Sequence, residues 1–404
     1  MQAAQGGDSR YETITPLLNK LARFDEATHQ VDPDEIAQGL SLLLNDKLTE
    51  TQSSALLSLL HHKKKDRDVS VIAAAIRRIV QPKIDAARIQ NIISTRGKPE
   101  GDYLGGLCEL TGTGGNATPT LAALTTTASL IASSSLLVSQ HGYMGANSPT
   151  ADLGNDAILS NIQPTPPALS STPENIDKVL KESNYIFLPE PSFYPTMKHA
   201  NSIRQGLGIR TIFDLVSTLL HPLRGHLEAR VIGVSNPDLG PAFAQALKDT
   251  AVKKALVVSG QGLIDRISPQ GSTSCWMLSG GEGTVQHFNL QPSDFGLPEQ
   301  PFGAVKARSS AAEEAGTLVD ILQGKLEDDD PVLQIVLMHA AALLVISGIC
   351  EVDSGEIGQE HVIEERGPGG QRWKEGIRRA KYSIASGGAS TALKTYIRAP
   401  QDSL

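Results

Sequence analysis

A glycine turn, Thr111-Gly112-Thr113-Gly114-Gly115, follows the apolar residues 107–110 and precedes a run of Ser, Thr and Ala that reads as a helix. Glycines there allow close backbone approach, and successive amides at a helix N-terminus can cradle a phosphate. The same pattern also serves as a plain strand-to-helix turn, and it is not the GxxxxGK[ST] loop of nucleotide hydrolases. His141 ends the apolar run 136–139. A general acid or base can sit at such a position, as can an imidazole satisfied by backbone groups alone. Arg204 offers a planar fork for a substrate carboxylate, or a partner for an acidic neighbour on a helix. Asp265 beside Arg266 reads first as a plain ion pair. Cys108, Cys275 and Cys350 are scattered, with no spacing for a disulfide framework or a zinc site, which points to a reducing compartment.

Two kinds of element must position these residues. In the first hundred residues, segments 36–46, 50–62 and 68–80 carry apolar residues at three- and four-residue steps, the pattern of short amphipathic helices in a small bundle. Asp32 before Pro33 is an N-cap followed by proline at the first helical position. The basic run HHKKKDR (61–67) reads as a solvated helix end and loop rather than a phosphate patch. From residues 98–103 onward, short apolar runs at 136–138, 185–188, 230–234 and 255–259 alternate with helical stretches. Strands alternating with helices predict an α/β domain with a mostly parallel central sheet and flanking helices. Ligands of such sheets bind beyond the carboxyl ends of the strands, here the loops 111–115, 141–144 and 260–268. Segment 332–350 has no Asp, Glu, Lys or Arg, yet it follows an acidic run and carries Gln334 and His339. It reads as a helix buried at the centre of a soluble domain rather than a membrane span. Residues 353–370 read as a surface insertion before a last helix at 373–386.

The 404 residues are 40% hydrophobic and 20% charged, a globular composition. Aromatics at 4% favour packed helices and glycine turns over an aromatic-rich sandwich. A net charge of −8 excludes a nucleic-acid partner on electrostatic grounds, because a phosphate backbone needs a basic face. The N-terminus lacks a basic start followed by an apolar core, so no signal peptide is expected and the cytoplasm is the expected location.

Further segments, read in order, carry a resemblance. His141-Gly142, Met197-Lys198-His199, Ser202-Ile203-Arg204 and residues 207–213, with GGLCELTGTGG, SNYIFL, HLEARVIGV, LVISGIC and GPGGQRWKEG, resemble the anthranilate phosphoribosyltransferase family, and its fungal form most. The resemblance runs from about residue 12 to residue 398. It implies a small helical domain, residues 1–103 joined by further helices from about 190–222, hinged to an α/β domain over residues 104–404 with a cleft at the hinge. It implies a homodimer, and magnesium-assisted transfer of ribose phosphate from phosphoribosyl pyrophosphate to the amine of anthranilate. Diphosphate loss leaves an oxocarbenium-like centre, so metal and cationic groups must stabilise the leaving charge.

Carried over position by position, the resemblance makes Gly112, Thr113, Gly114, Gly115, Asn116, Thr125, Gly142, Tyr143, Met144, Tyr194, Met197 and Arg204 the substrate-binding set. His141 and Arg204 are the candidate catalytic residues. Several family ligands are replaced. Asn116 stands for an aspartate, Leu124 for a hydroxyl residue that touches magnesium, Gln140 for a lysine, and Tyr143-Met144 for Asn-Arg. The loop 145–156 has no lysine. The paired metal-binding carboxylates correspond to Asp265-Arg266, the expected Glu-Asn-Ala to Glu313-Glu314-Ala315, and an asparagine to His339. If a metal site is rebuilt, Asp265, Glu313 and Glu314 are the carboxylates for it.

Losing a hydroxyl ligand, a carboxylate ligand and a lysine together costs several kcal/mol of transition-state binding. The first expectation is therefore a repurposed enzyme that acts on an aromatic or polyketide-like small molecule in specialised metabolism, with no metal and no phosphoribosyl pyrophosphate. Tyr143 and Met144 would give it an apolar lining. The alternatives are an active, divergent anthranilate phosphoribosyltransferase using magnesium and phosphoribosyl pyrophosphate, and a non-catalytic regulatory or binding paralogue.

Overall fold

The computed structural model describes residues 10–23, 31–113, 122–142, 153–250, 252–280, 283–352, 356–357 and 360–400. The chain forms two compact units, one of residues 1–81 with 194–220, the other of residues 82–193 with 221–404. The expected boundary at residue 103 lies further along. The helix Ala86–Arg96 packs on Ile176–Glu182 and on the turn Arg224–His226, and Arg96 donates to Leu180 O, Ser183 O and Asn184 Oδ1, all within the larger unit.

The smaller unit is all helix: Thr15–Ala22, Pro33–Leu44, Glu50–His62, Val69–Arg78, Met197–Leu207 and Ile212–Leu219 among the described residues. Asp32 caps Pro33–Leu44 by accepting from Asp34 N–H, and Thr49 and Asp68 cap the next two helices in the same way. Each helix buries one apolar stripe, for example Ile36, Ala37, Leu40, Leu43 and Leu44. The run 61–67 is a helix end followed by a short 3₁₀ turn, with His61 and Arg67 on the Asp66 carboxylate.

The larger unit is built on a seven-stranded sheet: β1 Leu107–Gly112, β2 Leu137–Gly142, β3 Tyr185–Pro189, β4 Leu227–Gly233, β5 Lys254–Gly260, β6 Thr273–Leu278 and β7 Val285–Leu290. The order is β3-β2-β1-β4-β5-β6-β7, with the first five strands parallel and the last two antiparallel. The sheet is thus mixed but mostly parallel. β6 and β7 were not legible: β7 is exposed along most of its length and carries no continuous apolar run. The chain leaves β1 towards β2 on one side and reaches β4 on the other, so the carboxyl edge between β1 and β4 is the switch point where ligands of such sheets bind.

The helix Pro331–Ser347, capped by Asp330 and stopped at Gly348 (φ 93°), is buried from Val332 onward. It lies against β4, against the helix Leu124–Ala132 that follows the glycine turn, and against Trp373–Ala385. Burial on all sides explains its lack of charge, and among the described residues no helix is long and apolar enough to cross a membrane. A further helix, Gly388–Arg398, follows Trp373–Ala385. Of the expected insertion at 353–370, residues 353–355 and 358–359 lie outside the described residues, and 361–370 are half exposed and tied back where Ile363 N–H donates to Glu375 and Trp373 Nε1–H donates to Pro368 O.

Candidate functional site

Three neighbouring parallel strands, β1, β4 and β5, each end in glycine: Gly112, Gly233 and Gly260. The segment 264–266 lies directly across these ends. A Cβ placed on Gly233 would sit 1.6 Å from the Asp265 carbonyl oxygen, one on Gly112 2.4 Å from Asp265 Oδ2, and one on Gly260 2.5 Å from the Arg266 carbonyl oxygen. The missing side chains are what bring the Asp265-Arg266 pair to the start of the glycine turn. Thr113 N–H donates to Gly233 O (2.9 Å), and the Thr113 hydroxyl accepts from Ser235 N–H (3.3 Å), which fixes the end of β1 against β4.

Below that edge the sheet contains a charged cluster. Glu109 on β1 is in register with Arg230 on β4, so their side chains share a face. Arg230 donates from Nε (2.8 Å) and Nη2 (2.6 Å) to Glu109 Oε2. The other carboxylate oxygen meets His141 Nδ1 and lies 3.7 Å from His221 Nε2. Burial alone would raise the Glu109 carboxyl, but the Arg230 guanidinium above all, with the His141 and His221 imidazoles beside it, overrides this and holds it well below the usual carboxylate range. His221 accepts Leu223 N–H at Nδ1 (2.9 Å), so its proton is on Nε2 and is donated to Ser139 O (3.0 Å). Burial pushes this imidazole down to about 3, although Glu109 pulls the other way. Glu109, His221 and Arg230 were not singled out from sequence. The signal present was a charge inside an apolar strand run, as in LCEL and EARVIG.

The positions that the resemblance assigns to metal ligands have the following surroundings. Leu124 is fully buried at the start of its helix. Arg266 Nε lies 3.4 Å from Asp265 Oδ1. Glu314 is fully buried, and its two oxygens accept from Ala123 N–H (2.9 Å) and Arg308 N–H (2.7 Å). Glu313 is exposed and accepts from Ser309 N–H and Oγ–H. His339 donates from Nδ1 to Ile335 O and accepts Ile267 N–H at Nε2 (2.9 Å), holding the Asp265–Ile267 segment from below. Burial pushes its pKa down to about 3. Asp265, Glu313 and Glu314 do not come together. Among the described residues the one group of three potential metal ligands is Glu109, His141 and His221.

Gln140 is buried on β2, accepts from the Tyr185 hydroxyl (2.7 Å) and reaches Thr125 Oγ1 at 3.4 Å. Gly142 ends β2 beside His141. In the smaller unit Arg204 donates to Asp214 Oδ1 (2.5 Å) and to Asn201 Oδ1 (3.2 Å). Asp214 also closes a capping box with Thr211, so the arginine is fixed by the start of the helix Ile212–Leu219. Tyr194 donates to Gln81 Oε1 (3.2 Å), and Met197 is buried at its helix start. The structure therefore places His141 with Gly112, Thr113, Thr125 and Gly142 in the larger unit, and Arg204 with Tyr194 and Met197 in the smaller. Gly114, Gly115, Asn116, Tyr143 and Met144, with residues 145–152, lie outside the described residues.

Residues 105–390 match the glycosyl transferase family, a/b domain. The chain is 29% identical over 373 residues to the anthranilate phosphoribosyltransferase of Schizosaccharomyces pombe, covering 92% of this chain and 94% of that one. It is 30% identical over 368 residues to that of Herpetosiphon aurantiacus, covering 91% and 94%. Among solved structures, anthranilate phosphoribosyltransferase from Saccharomyces cerevisiae in complex with PRPP and Mg aligns with a TM-score of 0.74 at 25% identity, covering 95% of this chain and 96% of that one.

Proposed function

The chain belongs to the anthranilate phosphoribosyltransferase family, and from that premise we propose that it is a repurposed member, an enzyme acting on an aromatic or polyketide-like small molecule without magnesium or phosphoribosyl pyrophosphate. The observation that carries this reading is the pair of changes at Leu124 and Arg266. An aliphatic side chain stands where a hydroxyl would touch the metal, and a cation stands beside Asp265 where a second carboxylate would. The remaining carboxylates do not fill the gap, because Glu314 spends both oxygens on backbone amides and Glu313 faces solvent. These residues do not fit a magnesium ion, and we route no step through one.

The groups that orient a ligand remain. Gly112 and Thr113 begin the turn at the switch point, His141 stands at the neighbouring strand end, and Arg204 keeps a geometry set by Asp214. On this reading catalysis rests on orientation and hydrogen bonding. The enzyme would work in the cytoplasm, in specialised metabolism, as a homodimer.

A second reading, a working and divergent anthranilate phosphoribosyltransferase, is favoured by similarity to such enzymes over more than nine-tenths of the chain. Turnover of anthranilate with phosphoribosyl pyrophosphate and magnesium separates the two. Removing one preorganised charge-stabilising group costs about 10²–10³ in rate. With several gone, no turnover is expected under conditions where the S. pombe relative turns over readily. A rate within about tenfold of that relative supports the second reading instead.

A further inference from the structure

We infer that Leu263 is a specificity-determining residue, an apolar side chain displayed at the carboxyl edge of the sheet to meet the ring of an aromatic ligand. Leucine suits neither the backbone nor the surroundings at this position. The φ angles of Gly262 and Leu263 are 86° and 57°, so two successive residues of the turn after β5 lie in the left-handed region. Glycine, asparagine and aspartate adopt that conformation readily, whereas a leucine there is strained. The side chain also faces water, at 53% exposure. Leu169, the other leucine with positive φ among the described residues, is half-buried. Neither turn formation nor core packing accounts for a leucine at 263, and strain held in this way gathers at ligand-binding positions.

The turn is pinned on both sides. Gly260 N–H donates to Ile264 O (3.0 Å), Gln261 N–H donates to Ser272 O (2.9 Å), and Gln261 Oε1 accepts from Ser272 N–H (3.2 Å). Ile264 is fully buried, and the Asp265 and Arg266 that follow lie over Gly112, Gly233 and Gly260. Leu263 therefore cannot fold back onto the core without undoing the turn. It is held just before the segment that crosses the β1–β4 corner, the switch point where ligands of such sheets bind.

The neighbour of this turn is aromatic. A Cβ on Gly262 would stand 3.5 Å from the ring of Phe302, which is half-buried. Gly262 thus lies between Leu263 and Phe302 in one apolar corner. Small-molecule sites are lined mainly by such aliphatic and aromatic groups, with a few polar groups to orient the ligand. A ring seated on Leu263 would remove from water the apolar surface that the free protein leaves exposed. The inference rests on the aromatic ligand of the proposed function and names a residue that meets it.

The test is the leucine-methyl NMR spectrum of the full-length protein, titrated with 2-naphthol as the aromatic probe. The Leu263 methyl signals are those that vanish in Leu263→Asn. In the wild type they are expected to shift and saturate as the ring stacks on them. Leu263→Asn is expected to bind the probe at least about fivefold more weakly, with a urea midpoint that holds or rises, because asparagine tolerates both positive φ and water. Leu263→Met keeps an apolar side chain and is expected to bind within about twofold of wild type. Saturable shifts at other leucines with Leu263 unmoved overturn the inference and leave the aromatic reading standing. The absence of any saturable shift overturns both. Wild-type affinity in Leu263→Asn overturns the inference, and so does a clear loss of stability in that variant, which would make the leucine a structural residue.

Discussion

The carbonyl of Asp265 lies so close over Gly233 that a Cβ on the glycine would stand 1.6 Å from its oxygen. That approach fixes where the Asp265-Arg266 pair sits, at the carboxyl edge between β1 and β4. It also ties this corner to the glycines at the strand ends. Gly112 contributes the second half, with its Cα facing the Asp265 carboxylate.

Gly233→Ala forces a backbone carbonyl to move, whereas Gly112→Ala meets a carboxylate that can swing aside. Overpacking costs about 1–3 kcal/mol, and more where backbone must shift. Urea unfolding is expected to show Gly233→Ala as the more damaging change, by about 3 kcal/mol or to the point of not folding, with Gly112→Ala nearer 1. Equal, small effects would mean that segment 264–266 is not seated on the strand ends.

Glu314→Gln replaces two acceptor oxygens by one. One of the two backbone amides, Ala123 or Arg308, must then face an NH₂ group, at a cost of about 1–3 kcal/mol for a buried unsatisfied donor. Glu313→Gln, on the exposed side of the same turn, is expected to stay within about 0.5 kcal/mol. A neutral Glu314→Gln, or a wild-type melting temperature that rises on adding magnesium, would return Glu314 to a metal-binding role.

Stability is expected to fall in acid in two stages. His221 and His339 are each pushed to about 3 by burial, against 6.5 in an unfolded chain. Below pH 6.5 the unfolded chain takes up protons that the folded one refuses until about pH 3. Each histidine therefore contributes stability that is complete above 6.5 and lost as pH falls, at up to about 1.4 kcal/mol per pH unit. Glu109 adds a second loss below its ordinary 4.5, because its lowered folded value keeps it ionised while the unfolded carboxyl protonates. Urea unfolding between pH 8 and pH 4 checks this, and His339→Gln is expected to flatten the first stage. A stability that stays level from pH 7 to pH 5 would contradict it.

The parallel half of the sheet was legible because its strands are apolar runs separated by helical periodicity. The antiparallel β6 and β7 were not, because β7 is an exposed edge with polar residues on both faces. Leu124, Gln140 and Arg266 could be located by their motif neighbours, but their surroundings could not. That Gln140 bonds to Tyr185, or that both oxygens of Glu314 face backbone amides, depends on contacts between residues far apart in sequence. The Glu109–Arg230 pair spans two strands more than a hundred residues apart, and only the β1–β4 register brings it together. Arg204 reads either as a carboxylate fork or as the partner of an acidic neighbour on a helix, and its ion pair with Asp214 in Ile212–Leu219 is of the second kind.

The central claim is that the metal and diphosphate positions have changed use, and calorimetric titration of phosphoribosyl pyrophosphate, with and without magnesium, tests it most directly. The account predicts no magnesium-dependent binding to the folded protein. Micromolar binding that appears only when magnesium is present would contradict it, and would place the chain among the working phosphoribosyl transferases.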